Sequence, residues 1–399
     1  MIYFDNAATS FPKPPQVGQA MARFLAEDAA NPGRAGHRMA VKAEGMLDDA
    51  RLRLARLFNI ADSHRVIFTM NGTDALNIAI KGVLSPARIG SSGDGKVPGV
   101  ITTVLEHNSV SRPLQALADR GDIALTRIDC DREGFVDPAA IDAAIDGETA
   151  LVVLTHASNV LGTIQDAAAV GRLCRAKDVL FLLDAAQTAG VTPIDVEAMS
   201  IDLLALPGHK SLLGPTGIGA LYVGPRCPGP SEQADGTRLA PWREGGTGGD
   251  SATPTQPALF PYYLEGGTPN TVGVAGLVAG IDYVLEHGMD NTLAHEQAMV
   301  AALIERFADD ERFTIYGTRD ATKRVGTLCL NIADYDAPDV GSILDDSFEI
   351  AVRPGLHCSP YAHRALGTFP DGAVRISPGP FNTQEQLDQL IEALDQIAG

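Results

Sequence analysis

From residue 66 to residue 223 the chain alternates short, uniformly apolar runs with segments of helical periodicity, and this alternation constrains the fold more than anything else in the sequence. The runs at 66–69, 100–105, 124–128, 150–155, 179–183, 201–206 and 217–223 are mostly too short for helices and are flanked by turn residues, so each is predicted to be a strand. Helices are predicted at 74–83, 138–145 and 166–177, the last with an acidic start and a basic end that suit the helix dipole. Strands alternating with helices form a mainly parallel sheet covered on both faces, here of seven strands. Downstream, helices predicted at 271–286, 293–308 and 384–397, with strands near 326–332 and 373–377, compose a smaller C-terminal α+β domain. Residues 13–262 are expected to form the large domain, and 1–12 with 263–399 the small one. Two Gly/Pro/Ser-rich stretches, 85–99 and 227–257, are predicted as loops.

Five of the predicted strands run into polar clusters: Asn71-Gly72-Thr73-Asp74, Glu106-His107-Asn108, His156-Ala157-Ser158-Asn159, Asp184-Ala185-Ala186-Gln187 and Pro207-Gly208-His209-Lys210. Ligands of open α/β sheets sit outside the carboxyl ends of the strands, so these clusters are predicted to converge on one site. Taken singly they are weak signals. An Asp after a strand is more often a helix N-cap, and a lone His a satisfied structural group. Together they are chemically coherent. The turn at Gly72 opens a helix whose first N–H groups suit a phosphate, with the Thr73 hydroxyl beside them. Asp184, after an apolar strand, is a part-buried carboxylate in need of a cation, and a protonated pyridine nitrogen would serve. Lys210, desolvated at a strand end, is an amine able to attack an aldehyde. His107 suits stacking on a ring or moving a proton.

Composition narrows the classes further. The net charge of −19 argues against non-specific nucleic-acid or anionic-membrane binding. The start Met1-Ile2-Tyr3-Phe4-Asp5 has neither a basic nor an apolar leader region, and no stretch reaches the roughly 18–20 apolar residues of a membrane span. The five cysteines, 130, 174, 227, 329 and 358, are scattered without a CxxC, which fits neither a disulfide framework nor a zinc site. A cytoplasmic protein without a bound metal is expected.

The clusters match a known family. The sequence resembles class V, fold-type I pyridoxal-phosphate (PLP) enzymes, and within them the cysteine desulfurases of the group II, SufS-like kind. The resemblance runs from Tyr3-Phe4-Asp5-Asn6-Ala7-Ala8-Thr9 to the C-terminal helix. It is most specific in Gly208-His209-Lys210-Ser211-Leu212-Leu213-Gly214-Pro215-Thr216-Gly217-Ile218-Gly219, with Ser158-Asn159-Val160-Leu161-Gly162-Thr163 and Glu265-Gly266-Gly267-Thr268-Pro269-Asn270-Thr271 beside it. It implies that Lys210 holds PLP as a Schiff base, that Asp184 pairs with the pyridinium nitrogen, and that His107 stacks on the ring. Gln187 and Asn159 would lie near the phenolic oxygen, while Thr73, Asp74 and His209 would hold the phosphate. Thr268 would reach the phosphate of a neighbouring subunit, which implies a homodimer, and Arg375 would clamp the substrate carboxylate. Pro207 and Asp74 depart from the pattern. The first removes a hydroxyl contact to the phosphate. The second puts a carboxylate beside it, so the Asp74 backbone N–H is expected to bind while its side chain turns away.

The reaction rests on Val352-Arg353-Pro354-Gly355-Leu356-His357-Cys358-Ser359-Pro360, which resembles the desulfurase loop with its catalytic cysteine. The implied thiolate of Cys358 attacks the sulfur of L-cysteine, alanine leaves, and a persulfide remains for a protein sulfur acceptor. A thiolate needs a base or a lowered pKa, with His357 and His107 as candidates. Cys358 lies only 17 positions before Arg375, as in the short loop of group II. The alternatives are selenocysteine lyase, another class V aminotransferase or lyase in which Cys358 is a bystander, and a sulfur-relay protein that keeps the fold with little activity.

Overall fold

The structure is a computed structural model that describes residues 1–33, 36–85, 97–232, 239–248 and 252–399. Much of the predicted 85–99 loop and part of the 227–257 loop lie outside the described residues. After β1 (Ile2–Tyr3) the chain builds a central sheet from β2 (Val66–Thr69), β3 (Gly99–Thr103), β4 (Ala124–Ile128), β5 (Thr149–Thr155), β6 (Leu180–Asp184), β7 (Leu203–Pro207) and β8 (Gly219–Val223). Their spatial order is β2-β8-β7-β6-β5-β3-β4. β8 runs antiparallel to both its neighbours, and the remaining pairs are parallel. The fold is therefore the expected mainly parallel α/β sheet, with each predicted strand end moved by at most two residues. Ladder pairing rather than apolarity decides those ends. Asp184 joins β6 because it pairs in register with Thr155 and Ala205.

Both faces of the sheet are covered, as uniformly apolar strands require. Along β5 and β6, Leu151, Val153, Leu180 and Leu182 pack into one apolar cluster, while Val152, Leu154, Phe181 and Leu183 pack into the other. Helices at Arg38–Phe58 and Asn108–Asp119, not predicted from the sequence, supply part of that cover. The first interleaves its buried Leu47, Ala50, Leu54 and Phe58 with charged residues, and the second contains Pro113, a helix breaker in most settings.

The C-terminal part carries β9 (Phe313–Tyr316), β10 (Leu328–Ile332), β11 (Ile350–Ala351), β12 (Arg353–Gly355) and β13 (Ala373–Ile376). Four of these form an antiparallel sheet in the order β12-β13-β10-β9, while β1 pairs with β11. Phe4 is buried in the same cluster as Val300, Phe307, Leu330, Val374 and Leu390. The N-terminal segment thereby starts in the C-terminal core. An Asp5–Ser377 bridge then leads Asn6 and Ala7 towards the carboxyl ends of the central strands.

The helix Thr271–His287 braces the Lys210 turn from behind. A Cβ at Gly280 would collide with the Leu212 carbonyl oxygen and lie 2.9 Å from Gly214 N. Backbone cannot swing aside as a side chain can, so the overpacking cost of about 1–3 kcal/mol exceeds the ~1 kcal/mol that alanine gains in helix propensity. Gly280→Ala should therefore lower the urea midpoint, and a raised midpoint would show that the helix does not press on this turn.

Candidate active site

At the carboxyl ends of the central strands lies a cavity of about 210 Å³. Lys210, His209, Asp184 and Gln187 line it from the ends of β6 and β7, and Thr73, His107 and Asn159 from the ends of β2, β3 and β5. Cys358 and Arg375 reach it from the C-terminal part. Asp74 and Thr268 are not in its wall.

Its one lining carboxylate among the described residues is Asp184, 3 % exposed. One oxygen accepts from Ala186 N at 2.9 Å, and the side chain has no ion-pair partner among the described residues. Burial raises its pKa, with the Ala186 hydrogen bond and Lys210 pulling the other way. Lys210 is the complementary case. Burial lowers its pKa to about 8, Asp184 opposes that shift, and Arg375 and Arg353 add to it. Its backbone is fixed by Leu213 N donating to Lys210 O and Gly214 N to Gly208 O, both at 2.8 Å.

Glu106, to which the sequence reading gives no role, is fully buried nearby. Its Oε1 accepts from Thr103 Oγ1 and Thr155 N, both at 2.9 Å, while Oε2 is buried without a partner. Burial pushes its pKa up to about 8, and Asp184 pushes the same way. Two carboxylates this close cannot both be charged cheaply, so Glu106 holds its proton near neutral pH.

At another part of the wall, the helix Gly72–Val83 begins. Its first N–H groups, at Gly72 and Thr73, have no intrahelical acceptor. The Asp74 N–H expected to bind a phosphate instead donates to its cap, Asn71 Oδ1, at 2.9 Å. Thr73 Oγ1 lies 2.8 Å from Ser109 Oγ, which also lines the cavity. Ser109, which the sequence reading does not single out, adds a hydroxyl to the wall beside Thr73. His209 Nδ1 lies 3.0 Å from Thr9 Oγ1.

The Cys358 loop is held from three sides. Asn159 Nδ2 donates to His357 O and its Oδ1 accepts from Ser359 Oγ, both at 2.7 Å. Asn108 N donates to Cys358 O at 2.7 Å. His357 and Cys358 have φ of 50° and 58°, the left-handed region that non-glycine residues seldom adopt. Cys358 is exposed, at the mouth of the cavity. Asn159 therefore ties down this loop with one of its two amide N–H groups and its amide oxygen. His357 is also committed: Nε2 donates to Arg353 O at 2.8 Å, and Nδ1 is 3.1 Å from His363 Nε2. Of the two candidate bases that leaves His107 with a free nitrogen, since its Nδ1 accepts from Ser109 N at 3.0 Å while Nε2 makes no hydrogen bond among the described residues. Burial lowers its pKa to about 4, so it is neutral.

Arg375 is buried, donating to Asp5 Oδ1 at 2.6 Å and to Asn159 O at 3.0 Å, with Nε unpartnered. Arg353, also in the wall, stands 4.0 Å from Asp5 Oδ2. Two guanidiniums share one carboxylate, which leaves one uncompensated positive charge. Thr268 lines a separate cavity of about 370 Å³ with Arg51 and Glu265, so it does not reach the Lys210 site of its own chain.

A family model described as aminotransferase class-V matches residues 2–390. The chain belongs to the class-V aminotransferase family. Among curated members it is 36 % identical, over its full length and 95 % of theirs, to a probable cysteine desulfurase of Methanothermobacter thermautotrophicus. It is 31 % identical, over its full length and 93 % of theirs, to a cysteine desulfurase of Salmonella dublin. The apo cysteine desulfurase of Thermococcus onnurineus superposes with a TM-score of 0.89 at 31 % identity, covering all of this chain and 94 % of that one. An Escherichia coli cysteine desulfurase in its S-sulfonic acid form gives 0.84 at 26 %, over 99 % and 94 %.

In this class-V chain the neutrality of Glu106 is measurable. The unfolded side chain ionises near 4.5 and the folded one near 8, so the stability its buried acid contributes is full below 4.5 and is lost as pH rises towards 8. Glu106→Gln removes that slope. The unfolding midpoint of the variant should gain on wild type between these pH values and hold a constant offset above them. An offset independent of pH throughout would mean that Glu106 is ionised in the fold.

Proposed function

We propose that this chain is a PLP-dependent cysteine desulfurase, which converts L-cysteine to L-alanine and holds the sulfur as a persulfide on Cys358 until an acceptor takes it. The observation that carries the reading is one cavity whose wall contains both Lys210 and Cys358. The cysteine desulfurases to which the chain is similar over its whole length support it.

The donor set fits PLP. Lys210 offers an amine whose pKa burial has lowered, and Asp184 is a buried carboxylate without the cation that a pyridinium would provide. Gly72, Thr73, Ser109 and His209 offer donors for the phosphate. Bound there, PLP would withdraw electrons from the substrate α-carbon and loosen its C–S bond. The rest falls to the chain. Arg375 and Arg353 bind the substrate carboxylate with the one positive charge that Asp5 leaves them. Lys210 Nζ moves a proton at the α-carbon. His107 Nε2 takes the Cys358 proton, and the thiolate attacks the substrate sulfur. The C–S bond breaks, its electrons stay with the alanine carbon, and a new S–S bond forms on Cys358.

Thr268, exposed and away from its own Lys210 cavity, fits a role at the phosphate of a second subunit in a homodimer. None of the five cysteines forms a disulfide, as suits the cytoplasm. Among the described residues no helix is long and apolar enough to cross a membrane.

Alanine formation from L-cysteine tests the reading. Cys358→Ala should cut turnover on the order of a thousandfold, the scale of a lost nucleophile, and leave the cofactor's absorbance in place. Lys210→Ala should lose both. Full turnover in Cys358→Ala would instead assign the chain to a lyase or aminotransferase in which the cysteine is a bystander.

A further inference from the structure

Cys358 stands between two spaces. On one side is the Lys210 cavity, and on the other an open groove of about 450 Å³ between the helices Gly72–Val83 and Asn108–Asp119. Cys358, Thr73, His107 and Ser109 belong to both walls, so they form the partition. Among the described residues the charged groups of the groove are Lys81, Arg112 and Arg120, and no carboxylate lines it. Arg120 is paired with Asp122 at 2.8 Å. Lys81 and Arg112 are exposed and make no ion pair among the described residues. Asp74, one turn before Asn77 on the same helix, stays out of the lining.

This sign is opposite to the whole. A chain of net charge −19 repels acidic partners in general, yet the groove beside Cys358 is lined by basic groups among the described residues. Such a local reversal steers encounter and fixes register more than it adds affinity. Asn77 and Asn108 add uncharged polar groups to the same wall.

We propose that this groove is the docking surface of the sulfur acceptor, and that the acceptor is a protein segment bearing carboxylates around a cysteine thiol. The inference rests on the persulfide reading of Cys358 and specifies its partner. Carboxylates of the segment lie against Lys81 and Arg112, which brings the acceptor thiolate up to Cys358 from outside. That thiolate attacks the terminal sulfur of the Cys358 persulfide. The S–S bond to Cys358 breaks, a new one forms on the acceptor, and Cys358 returns as a thiolate, with no oxidant or reductant consumed. Substrate and acceptor thus use opposite faces of one residue, and neither has to leave for the other to bind.

The test uses two synthetic peptides of equal length, each with one cysteine, flanked in one by glutamates and in the other by lysines. Sulfur transfer to each is measured for the full-length holoenzyme and for Lys81→Glu/Arg112→Glu, with dithiothreitol as an uncharged acceptor for reference. Wild type should use the acidic peptide about tenfold better in kcat/KM at low salt, with the gap narrowing as salt rises. The double variant should lose or reverse the preference while alanine formation with dithiothreitol is unchanged. Because both side chains are exposed, Lys81→Gln/Arg112→Gln provides a milder pair that should show an intermediate preference. Equal use of the two peptides by wild type, or a preference that survives the charge reversal, would overturn the proposal. Either result with normal alanine formation defeats the groove alone. No alanine formation with dithiothreitol in wild type defeats the persulfide reading beneath it.

Discussion

A carboxylate buried without a cation is the constraint around which this site is built. Asp184 closes β6 in register with Thr155 on one side and Ala205 on the other, so the sheet itself fixes where the charge sits. Its backbone is locked by His156 N donating to Asp184 O and Ala185 N to Ala205 O, both at 2.9 Å. A lone ionised carboxylate in such surroundings is expensive, and the expense is relieved by a cationic ligand. Glu106 tightens this dependence. By keeping its proton it adds no second negative charge beside Asp184.

The second organising feature is the way the C-terminal part is drawn onto the sheet. Asn159, just beyond β5, ties down the loop of His357, Cys358 and Ser359 through its side chain, and Arg375 donates to its carbonyl. Asp5 enters from the N-terminal segment and joins Arg375 to Arg353. The thiol is thereby carried on a loop whose backbone is fixed while its side chain stays exposed. That combination suits the proposed nucleophile, which would meet one partner from within and another from outside.

Much of this was legible in the sequence because it depends on local pattern. Apolar runs bounded by turns mark the strands, and the polar residues just after them mark the site, since strand ends of a parallel sheet share one edge. Lys210, Asp184 and His107 are found that way. What escaped is set by contacts between segments far apart in the chain. Arg353 and Asp5 are unremarkable until the N-terminal segment is seen to run beside β13. Ser109 is one of many serines until its hydroxyl meets Thr73 and His107. Asn159 and His357 look like free polar groups in sequence, but the fold ties the side chain of one to the Cys358 loop and commits both ring nitrogens of the other. The Asp74 N–H is lost to a phosphate because Asn71 caps the same helix. The helix at Asn108–Asp119 is hidden by Pro113, which its burial against the sheet overrides.

The central claim is that Lys210 and Cys358 act in sequence on one substrate. Its most direct test is mass spectrometry of the holoenzyme after brief exposure to L-cysteine without an acceptor. The account expects the mass of one added sulfur on the peptide containing Cys358, removed by dithiothreitol and absent in Lys210→Ala. Sulfur found on Cys130, Cys174, Cys227 or Cys329 instead, or its arrival on Cys358 without Lys210, would contradict it.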